Sequence, residues 1–120
     1  MAKDFKTWGV VKTSLESREV WHCHLGENLG HEEGGKGSAF LRPVVVVRVF
    51  SQDLFWAVPI TSTEKVGEYY HSFLLAGRRE TALLTQSRVL DRKRLLRKVG
   101  HIPRSDFELL VVKITALLGS

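Results

Sequence analysis

The sequence predicts a small, mainly β protein: a strongly bent antiparallel sheet or half-open barrel of five or six short strands, with one terminal helix. Apolar segments of strand length recur at short intervals through the centre of the chain. Two connections between them, 51–53 ("SQD") and 77–80 ("GRRE"), have the length and composition of hairpin turns. The C-terminal residues instead carry apolar side chains at helical spacing.

The N-terminal residues predict a short amphipathic helix over 5–16, within a helical extension that covers 1–17. Asp4 precedes it as a candidate N-cap. The apolar side chains that recur at about helical spacing are Phe5, Trp8, Val11 and Leu15. A strand over 19–25 ("EVWHCHL") follows. Its alternation places two sets of side chains on opposite faces: Val20, His22 and His24 on one, and Trp21, Cys23 and Leu25 on the other.

Residues 26–37 ("GENLGHEEGGKG") predict a loop, because five glycines and several charges are too flexible and too polar to be buried. A loop this long in a small domain is usually functional or disordered. It has neither the spacing of a Walker motif nor that of a dinucleotide-binding fingerprint. We therefore expect no nucleotide cofactor.

The centre of the chain predicts two hairpins. "VVVVRVF" (44–50) and "LFWAVPIT" (54–61) flank the first turn, and the run of four valines is typical of a strand buried on both faces. "YYHSFLLA" (69–76) and "TALLTQ" (81–86) flank the second turn.

The C-terminal third predicts a helical turn, a short strand and a helix. Asp91 is placed to cap a helical turn within 91–99 ("DRKRLLRKV"), and 100–102 ("GHI") fits a short strand. Ser105 and Glu108 have capping-box spacing at the start of the final helix. The side chains of that helix expected to pack on the sheet are Phe107, Leu110, Val111, Ile114, Leu117 and Leu118.

Length and composition indicate a single domain over residues 1–120. The chain is 43% hydrophobic and 26% charged, as in ordinary soluble globular proteins. No apolar run approaches the length of a membrane span, and the first residues do not have the pattern of a signal peptide. Cys23 is the one cysteine, which rules out an intrachain disulfide and fits a reducing compartment. We expect a cytoplasmic protein.

The net charge of +5 is unevenly distributed. Residues 78–104 contain nine lysines and arginines against Glu80 and Asp91, so that the rest of the chain is slightly acidic. A concentrated cationic face attracts RNA, DNA or an acidic partner peptide. The alternative is a solvated basic face with no partner.

Arg42 is the first candidate site residue. It precedes Pro43, which pushes its backbone to an extended conformation and, at the start of a strand, gives up no ladder hydrogen bond. A guanidinium at the edge of a rigid sheet is suited to binding phosphate oxygens. The alternative is a salt bridge with an acid of the preceding loop: Glu27, Glu32 or Glu33.

Hydroxyl and amide side chains at strand ends are further candidates. Thr61 and Ser62 follow a buried strand, where they can bind a phosphate or, equally, the backbone of a local turn. Gln86 and Arg88 lie where another strand enters the basic segment, so Gln86 could contact a base or ribose. The segment 22–24 ("HCH") does not complete a zinc-binding pattern, even with His31 as a third ligand. We therefore expect no metal site.

The ordered set of glycine-rich loop, "RPVVVV", "PITS" and "TQSRVLDRKRL" resembles the MazF/PemK (Kid-like) toxins of bacterial type II toxin–antitoxin systems. The resemblance runs from about Glu19 to Leu118. It implies a small SH3-like antiparallel β-barrel of the CcdB/PemK type, here with an N-terminal and a C-terminal helix, in a homodimer. Two features depart from compact relatives: the extension over 1–17, and "SREV" without the glycine often found before the acidic residue.

The resemblance also implies a function: a metal-independent endoribonuclease that cuts single-stranded RNA, often messenger RNA, and leaves 2′,3′-cyclic phosphate and 5′-hydroxyl ends. It places the catalytic residues at Arg42 and Thr61. Residues expected to bind RNA are Lys36, Ser62, Arg78, Arg79, Gln86 and Arg88. The expected partners are single-stranded RNA and a cognate antitoxin with an acidic C-terminal segment.

Two other functions remain compatible with the same architecture. One is a non-catalytic toxin that binds a protein target such as DNA gyrase, and the other is a basic nucleic-acid-binding barrel without a toxin role. Three aromatic residues could stack on bases, namely Trp56, Tyr69 and Tyr70, although the sequence around Trp56 is more typical of a core strand. No histidine is placed by the sequence as a general base; His22, His24 and His31 are the candidates.

Overall fold

The computed structural model describes residues 14–25 and 41–119, and within these it contains seven strands, one α-helix and two single-turn 3-10 helices. The 3-10 turns are Leu84–Gln86 and Arg92–Arg94. The strands and helix are β1 (Glu19–His24), β2 (Leu41–Val49), β3 (Leu54–Thr61), β4 (Tyr70–Leu75), β5 (Arg78–Leu83), β6 (Arg88–Asp91), β7 (Leu95–His101) and α1 (Arg104–Gly119).

The strands form one antiparallel sheet in the order β4-β5-β3-β2-β1-β7, with β6 paired to β3. Along one edge β3 pairs with β2, and along the other it pairs first with β6 and then, from Ile60, with β5. The sheet curls until its two ends approach each other: a Cβ atom at Gly100 of β7 would lie 3.8 Å from Cδ1 of Leu75 in β4. The expected half-open barrel is therefore confirmed.

Two hydrophobic cores lie on opposite faces of the central strands. The first core lies under α1 and is formed by Val20, Val45, Val58, Ile60, Phe73, Ala82, Leu84, Ile102, Leu110 and Ile114. The second is formed by Leu15, Trp21, Cys23, Val44, Val46, Phe55, Ala57, Leu90 and Leu95. Successive valines of β2 therefore enter different cores, which confirms a strand buried on both faces.

The first predicted hairpin is confirmed and the second is confirmed with a shifted turn. β2 and β3 pair as expected, and β3 covers the same residues as the predicted strand. The second turn is Ala76–Gly77, whose φ angles of 52° and 84° suit a two-residue hairpin turn. Arg78 and Arg79 consequently belong to β5, which ends at Leu83, and the expected strand residues 84–86 form a 3-10 turn.

The segment after this hairpin contains more strand than the sequence predicted. β6 was not expected, the helical turn within 91–99 is limited to three residues, and β7 is longer than the predicted strand over 100–102. The N-cap prediction is confirmed, because the Asp91 Oδ1 accepts a 2.8 Å hydrogen bond from the Lys93 N–H. Pairing with distant strands explains the difference: β6 pairs with β3, and β7 pairs with β1. Hydrogen bonds to these partners stabilise strand structure in residues whose local sequence does not favour it.

Helix α1 begins earlier and buries less than expected. The N–H of Phe107 donates to the Pro103 carbonyl (2.9 Å), so Ser105 lies inside the first turn and is not the N-cap. Of the six side chains expected to pack on the sheet, Leu110 and Ile114 are buried, and Phe107 and Val111 are partly buried. Leu118 is 75% exposed, because it lies near the end of the helix.

The predicted N-terminal helix falls mostly outside the described residues. Its last three residues, 14–16, have no regular secondary structure, but Leu15 packs into the second core. In the part of the chain that the structure describes, no helix is long and apolar enough to cross a membrane.

Arg18, immediately before β1, has a left-handed backbone with φ of 78°. Glycine adopts such a φ without steric cost, whereas this chain has arginine at the position. Here the arginine is held by its neighbours: its Nε donates to the Ile102 carbonyl (3.3 Å), and the Ile102 N–H donates to the Arg18 carbonyl (3.0 Å). The conformation is therefore kept although the glycine is absent.

Candidate nucleic-acid interface

Arg42 and Thr61 occupy the same end and the same face of the β2–β3 hairpin. The β2–β3 ladder ends at the pair Val44–Pro59, and Arg42 and Thr61 lie two residues farther along their strands. Because alternate residues of a strand share a face, both belong to the face of the second core, which contains Val44. Pairing with β1 agrees, since the residue opposite Arg42 is Cys23, also of the second core.

Arg42 is exposed, and it forms no ion pair with any carboxylate among residues 14–25 and 41–119. The acids proposed as alternative partners, Glu27, Glu32 and Glu33, lie outside the described residues. Pro43 is the third residue of β2 and not its first, but it precedes the first pair of the ladder with β3. Arg42 thus lies on the part of β2 that extends beyond its ladder with β3.

Thr61 forms the local turn contact that the sequence suggested. Its Oγ1 accepts a 3.2 Å hydrogen bond from the Thr63 N–H, and its backbone is paired with Thr81 of β5. The side chain is half-buried, whereas the following Ser62 is exposed. A hydroxyl that accepts one hydrogen bond can still donate its own proton, so the Thr61 O–H can serve a phosphate oxygen.

Two further arginines lie close to Cys23. Burial raises the pKa of its thiol to about 11, while the positive charges of Arg94 and then Arg88 act in the opposite direction. Arg94 is held in place because its guanidinium donates to the His24 carbonyl (3.1 Å). Arg42 pairs with Cys23 across the β1–β2 ladder, so three arginines from three chain segments are associated with the same position of β1.

Arg94 is the residue that sequence reasoning missed. It belongs to the basic segment 78–104, but nothing in the local sequence distinguishes it from Arg92 or Lys93. Only the crossing of the 3-10 turn from β6 to β7 brings it to the end of β1.

The other predicted RNA-binding residues are divided between the two faces. Arg79 shares a face with Thr81, the partner of Thr61, whereas Arg78 alternates to the opposite face. Gln86 is exposed at the end of the 3-10 turn that leads into β6, where Arg88 is the first residue. Lys36 lies outside the described residues.

The basic segment does not form the single cationic face that its composition suggested. Lys98 forms an ion pair with the buried carboxylate of Glu19 (3.2 Å), which also accepts from the Trp21 Nε1 (2.9 Å). Arg92 donates to the Gln52 carbonyl (3.0 Å), at the turn end of the hairpin and away from Arg42. Pairing thus distributes the charges of 78–104 over several sites.

The histidines and aromatic residues do not complete the site. Strand alternation places His22 and His24 on the face opposite Arg42, and His31 is not described. In the described part of the chain, no group of three or more His, Cys, Asp or Glu side chains could hold a metal ion. Trp56 packs against the first core and stacks on Phe50, which confirms its core role.

The fold and site define a small curled β-sheet protein with one C-terminal helix and a cluster of arginines at one end of its central hairpin. The sequence profile of the PemK-like, MazF-like toxins of type II toxin–antitoxin systems matches residues 16–118. The chain belongs to this family. No protein of curated function matches the sequence.

Solved structures of the same fold agree with this assignment. MazF from Deinococcus radiodurans is 23% identical, with a TM-score of 0.70 over 91% of this chain and 100% of its own. An endoribonuclease in complex with its cognate antitoxin from a mycobacterial species is 13% identical, with a TM-score of 0.64 over 88% of this chain and 96% of its own. The MazE–MazF complex from Deinococcus radiodurans is 22% identical, with a TM-score of 0.59 over 86% and 92%.

Proposed function

We propose that this toxin is a metal-independent endoribonuclease that cleaves single-stranded RNA, messenger RNA in particular, to 2′,3′-cyclic phosphate and 5′-hydroxyl ends. The observation that most strongly supports the proposal is the placement of Arg42 and Thr61 at one end and on one face of the β2–β3 hairpin. Arg88 and Arg94 add positive charge near Cys23, the residue that pairs with Arg42.

RNA cleavage of this kind requires few chemical groups from the protein, because the substrate itself supplies the nucleophile. The ribose 2′-oxygen attacks the adjacent phosphorus and loses its proton, and the bond from phosphorus to the 5′-oxygen breaks. The leaving oxygen gains a proton and becomes the 5′-hydroxyl. Since attack is intramolecular, correct positioning of the phosphodiester contributes much of the rate.

Arg42 is proposed to stabilise the charge that develops on the phosphorane. Its planar fork can donate two parallel hydrogen bonds to phosphate oxygens, and such charge-assisted bonds strengthen as the negative charge grows. A guanidinium keeps its proton at neutral pH, so Arg42 is not the general base. It can, however, donate a proton to the leaving oxygen.

Thr61 is proposed to position the phosphate or the 2′-hydroxyl. Its accepted bond from the Thr63 N–H fixes the oxygen and leaves the hydroxyl proton for the substrate. Neither Thr61 nor Arg42 is a good base, and His22 and His24 lie on the other face of the sheet. Slow turnover is therefore expected, with water accepting the 2′-proton.

The RNA strand is proposed to contact the exposed residues around this end of the sheet. Arg79 and Arg88 supply positive charge, and Ser62 and Gln86 supply polar groups. Lys36 and Arg78 are the other residues proposed to bind RNA; Arg78 lies on the opposite face of β5 from Arg79.

The proposed protein partners are a cognate antitoxin, at the arginines, and a second copy of this chain, at the outer side of α1. A cognate antitoxin with an acidic segment would compete with RNA for Arg42, Arg88 and Arg94, and the mycobacterial neighbour was solved with its antitoxin. A homodimer would cover the outer side of α1, where Leu109 is 51% and Val112 is 62% exposed. We place the protein in the cytoplasm, where messenger RNA is found.

The test is cleavage of a long single-stranded RNA by purified protein in the presence of EDTA, with mapping of the ends. We expect cyclic phosphate and 5′-hydroxyl ends, and loss of cleavage in Arg42→Ala, Thr61→Ala and the isosteric Thr61→Val. Thr63→Val, an exposed threonine two residues away, is the matched control and should cleave normally.

Three outcomes contradict the proposal in different ways. Wild-type cleavage by both Arg42→Ala and Thr61→Val indicates another site or a contaminating nuclease. Cleavage that EDTA abolishes indicates a metal site built from histidines. A protein that cuts no RNA but inhibits growth supports the alternative of a toxin that binds a protein target such as DNA gyrase.

A further inference from the structure

An exposed apolar surface lies on the α1 side of the sheet, at the turn end of the β2–β3 hairpin. Val58 of β3 is buried in the first core under α1, but the residues of the same face closer to the turn are only partly covered. Phe50 is 48%, Leu54 43% and Val89 52% exposed. Trp56 packs at the margin of the first core and stacks on Phe50, with ring centroids 6.4 Å apart. Exposed apolar side chains that form one contiguous group mark an interaction site more often than scattered ones do.

Strand register arranges this surface as two rows across three strands. Trp56 is paired with Arg48 of β2 on one side and with Val89 of β6 on the other. In the next row toward the turn, Leu54 pairs with Asp91 of β6, and its carbonyl accepts a hydrogen bond from the Phe50 N–H (3.0 Å). Alternation places both rows on one face of the sheet. We call these six residues the hairpin patch: Arg48, Phe50, Leu54, Trp56, Val89 and Asp91.

The hairpin patch carries two charged residues, Arg48 and Asp91, at diagonally opposite corners. Two strand spacings and two residues separate them, or about 12 Å between their Cα atoms. Among residues 14–25 and 41–119, neither forms an ion pair. The Asp91 side chain accepts a hydrogen bond from the Lys93 N–H (2.8 Å), which uses one of its two oxygens. The patch therefore offers one positive and one negative group beside four apolar side chains.

This arrangement of charges is complementary to itself. When two copies face each other, a two-fold axis that lies between them, at right angles to the diagonal, exchanges the two corners. Arg48 of each copy then lies opposite Asp91 of the other copy, and the apolar side chains lie between the two ion pairs. An acidic partner segment would instead meet Asp91 with like charge. The charges thus favour a second copy of this chain over an acidic partner.

We propose that the hairpin patch binds the same patch of a second copy of this chain. Three strands about 4.8 Å apart and two rows about 6.8 Å apart cover about 200 Å², whereas a stable complex buries about 800 Å² on each partner. Association through the hairpin patch is therefore weak and occurs at high protein concentration. The patch shares no residue with the outer side of α1, so it would join the homodimers proposed there into tetramers or longer assemblies. It lies on the face opposite Arg42 and Thr61 and does not cover the candidate nucleic-acid interface.

Charge reversal tests the proposal by sedimentation equilibrium of the purified full chain, at low salt and at about 10 µM to about 1 mM protein. In a symmetric complex, Arg48→Asp turns both ion pairs into repulsive contacts, and so does Asp91→Arg. Each variant alone should therefore associate about tenfold more weakly than wild type. An equimolar mixture of the two should recover wild-type association to within about threefold, because contacts between unlike copies again join opposite charges. Asp91→Arg also removes the bond to the Lys93 N–H, and recovery in the mixture shows that this variant still folds.

The apolar part of the hairpin patch is tested with a matched pair of valines. Val89→Thr adds a hydroxyl at the centre of the contact and should weaken association at least about threefold. Val99→Thr makes the same change at an exposed valine of β7, outside the patch, and should leave association unchanged.

Three results would overturn the proposal: no association of the wild-type protein up to about 1 mM, equal association of wild type and both charge variants, or a mixture that associates no more strongly than its components. Charge variants that keep self-association but lose binding to the cognate antitoxin would also overturn it and assign the patch to the antitoxin. Helix α1 is intact in every variant and no measurement uses RNA. The outcome is therefore independent of the dimer proposed at α1 and of the proposed nuclease.

Discussion

Replacement of Arg42 separates a catalytic role from a structural one. The structure predicts a small effect on the free energy of unfolding and a large effect on the rate of RNA cleavage. Arg42 is exposed and forms no ion pair with a carboxylate among the described residues. Surface substitutions of this kind usually change the free energy of unfolding by no more than about 0.5 kcal/mol. Arg42→Ala and Arg42→Lys should therefore both unfold at nearly the wild-type urea concentration.

The effect on RNA cleavage should be much larger. Removing one preorganised donor from a site of developing negative charge typically costs about 10²- to 10³-fold in rate, or about 2.7–4 kcal/mol. Arg42→Ala should show at least that loss. Arg42→Lys keeps the charge but loses the two-pronged fork, so it should retain part of the activity, at about tenfold or more below wild type.

The assay is single-turnover cleavage of a labelled single-stranded RNA, together with urea unfolding of each variant. Arg48→Ala is the matched control, because Arg48 is an exposed arginine of the same strand near the opposite, turn end of the hairpin. We expect Arg48→Ala to cleave within about threefold of wild type, as a surface change outside the site should. Equal losses in the Arg42 and Arg48 variants, or a large loss of stability in Arg42→Ala, would refute the reasoning.

Three further predictions concern stability and reactivity. Arg18→Gly should be about 1 kcal/mol more stable than Arg18→Ala in urea unfolding, because φ is 78° there and both variants lose the same side chain; equal stabilities would contradict this. Cys23, with its pKa raised from 9.0 to about 11, should react with a thiol reagent at pH 8 at least about 100-fold more slowly in the folded than in the unfolded protein, because the thiolate is scarcer and the side chain is buried. Its contribution to stability should be lost as the pH rises from about 9 through about 11. Equal reactivity would show that the thiol is accessible. Leu110→Ala should cost about 2–5 kcal/mol in the same urea assay, whereas Leu118→Ala, at a position 75% exposed, should cost little; similar costs would mean that α1 does not pack as described.

Sequence pattern alone predicted the structure correctly where the interacting residues lie close together in the sequence. The first hairpin follows from two apolar runs and a three-residue turn, and its second strand, β3, has the predicted bounds. Alternation in β1 likewise predicted that Trp21 and Cys23 share a core. The second hairpin was shifted because a positive φ at Ala76 is set by the twist of the paired strands and not by the residue itself.

Local pattern was insufficient where pairing partners are distant. β6 was not predicted, and most of β7 was interpreted as a helical turn because "DRKRLLRK" has no clear strand alternation. Both are strands because β3 and β1 offer free edges. The charges of the same segment were expected on one face and are not, since Lys98 and Arg92 are engaged by Glu19 and by the Gln52 carbonyl.

The sequence by itself determined the family, the mainly β architecture and the candidate pair Arg42 and Thr61, because each depends on residue type and order along the chain. Only the tertiary structure decided that these two residues share a face, that Arg94 joins them, and that Arg48 and Asp91 lie at opposite corners of the hairpin patch. The physical reason is that these relations depend on strand register and sheet curl. Register and curl are set by contacts between residues far apart in the sequence, so they cannot be predicted from neighbouring residues.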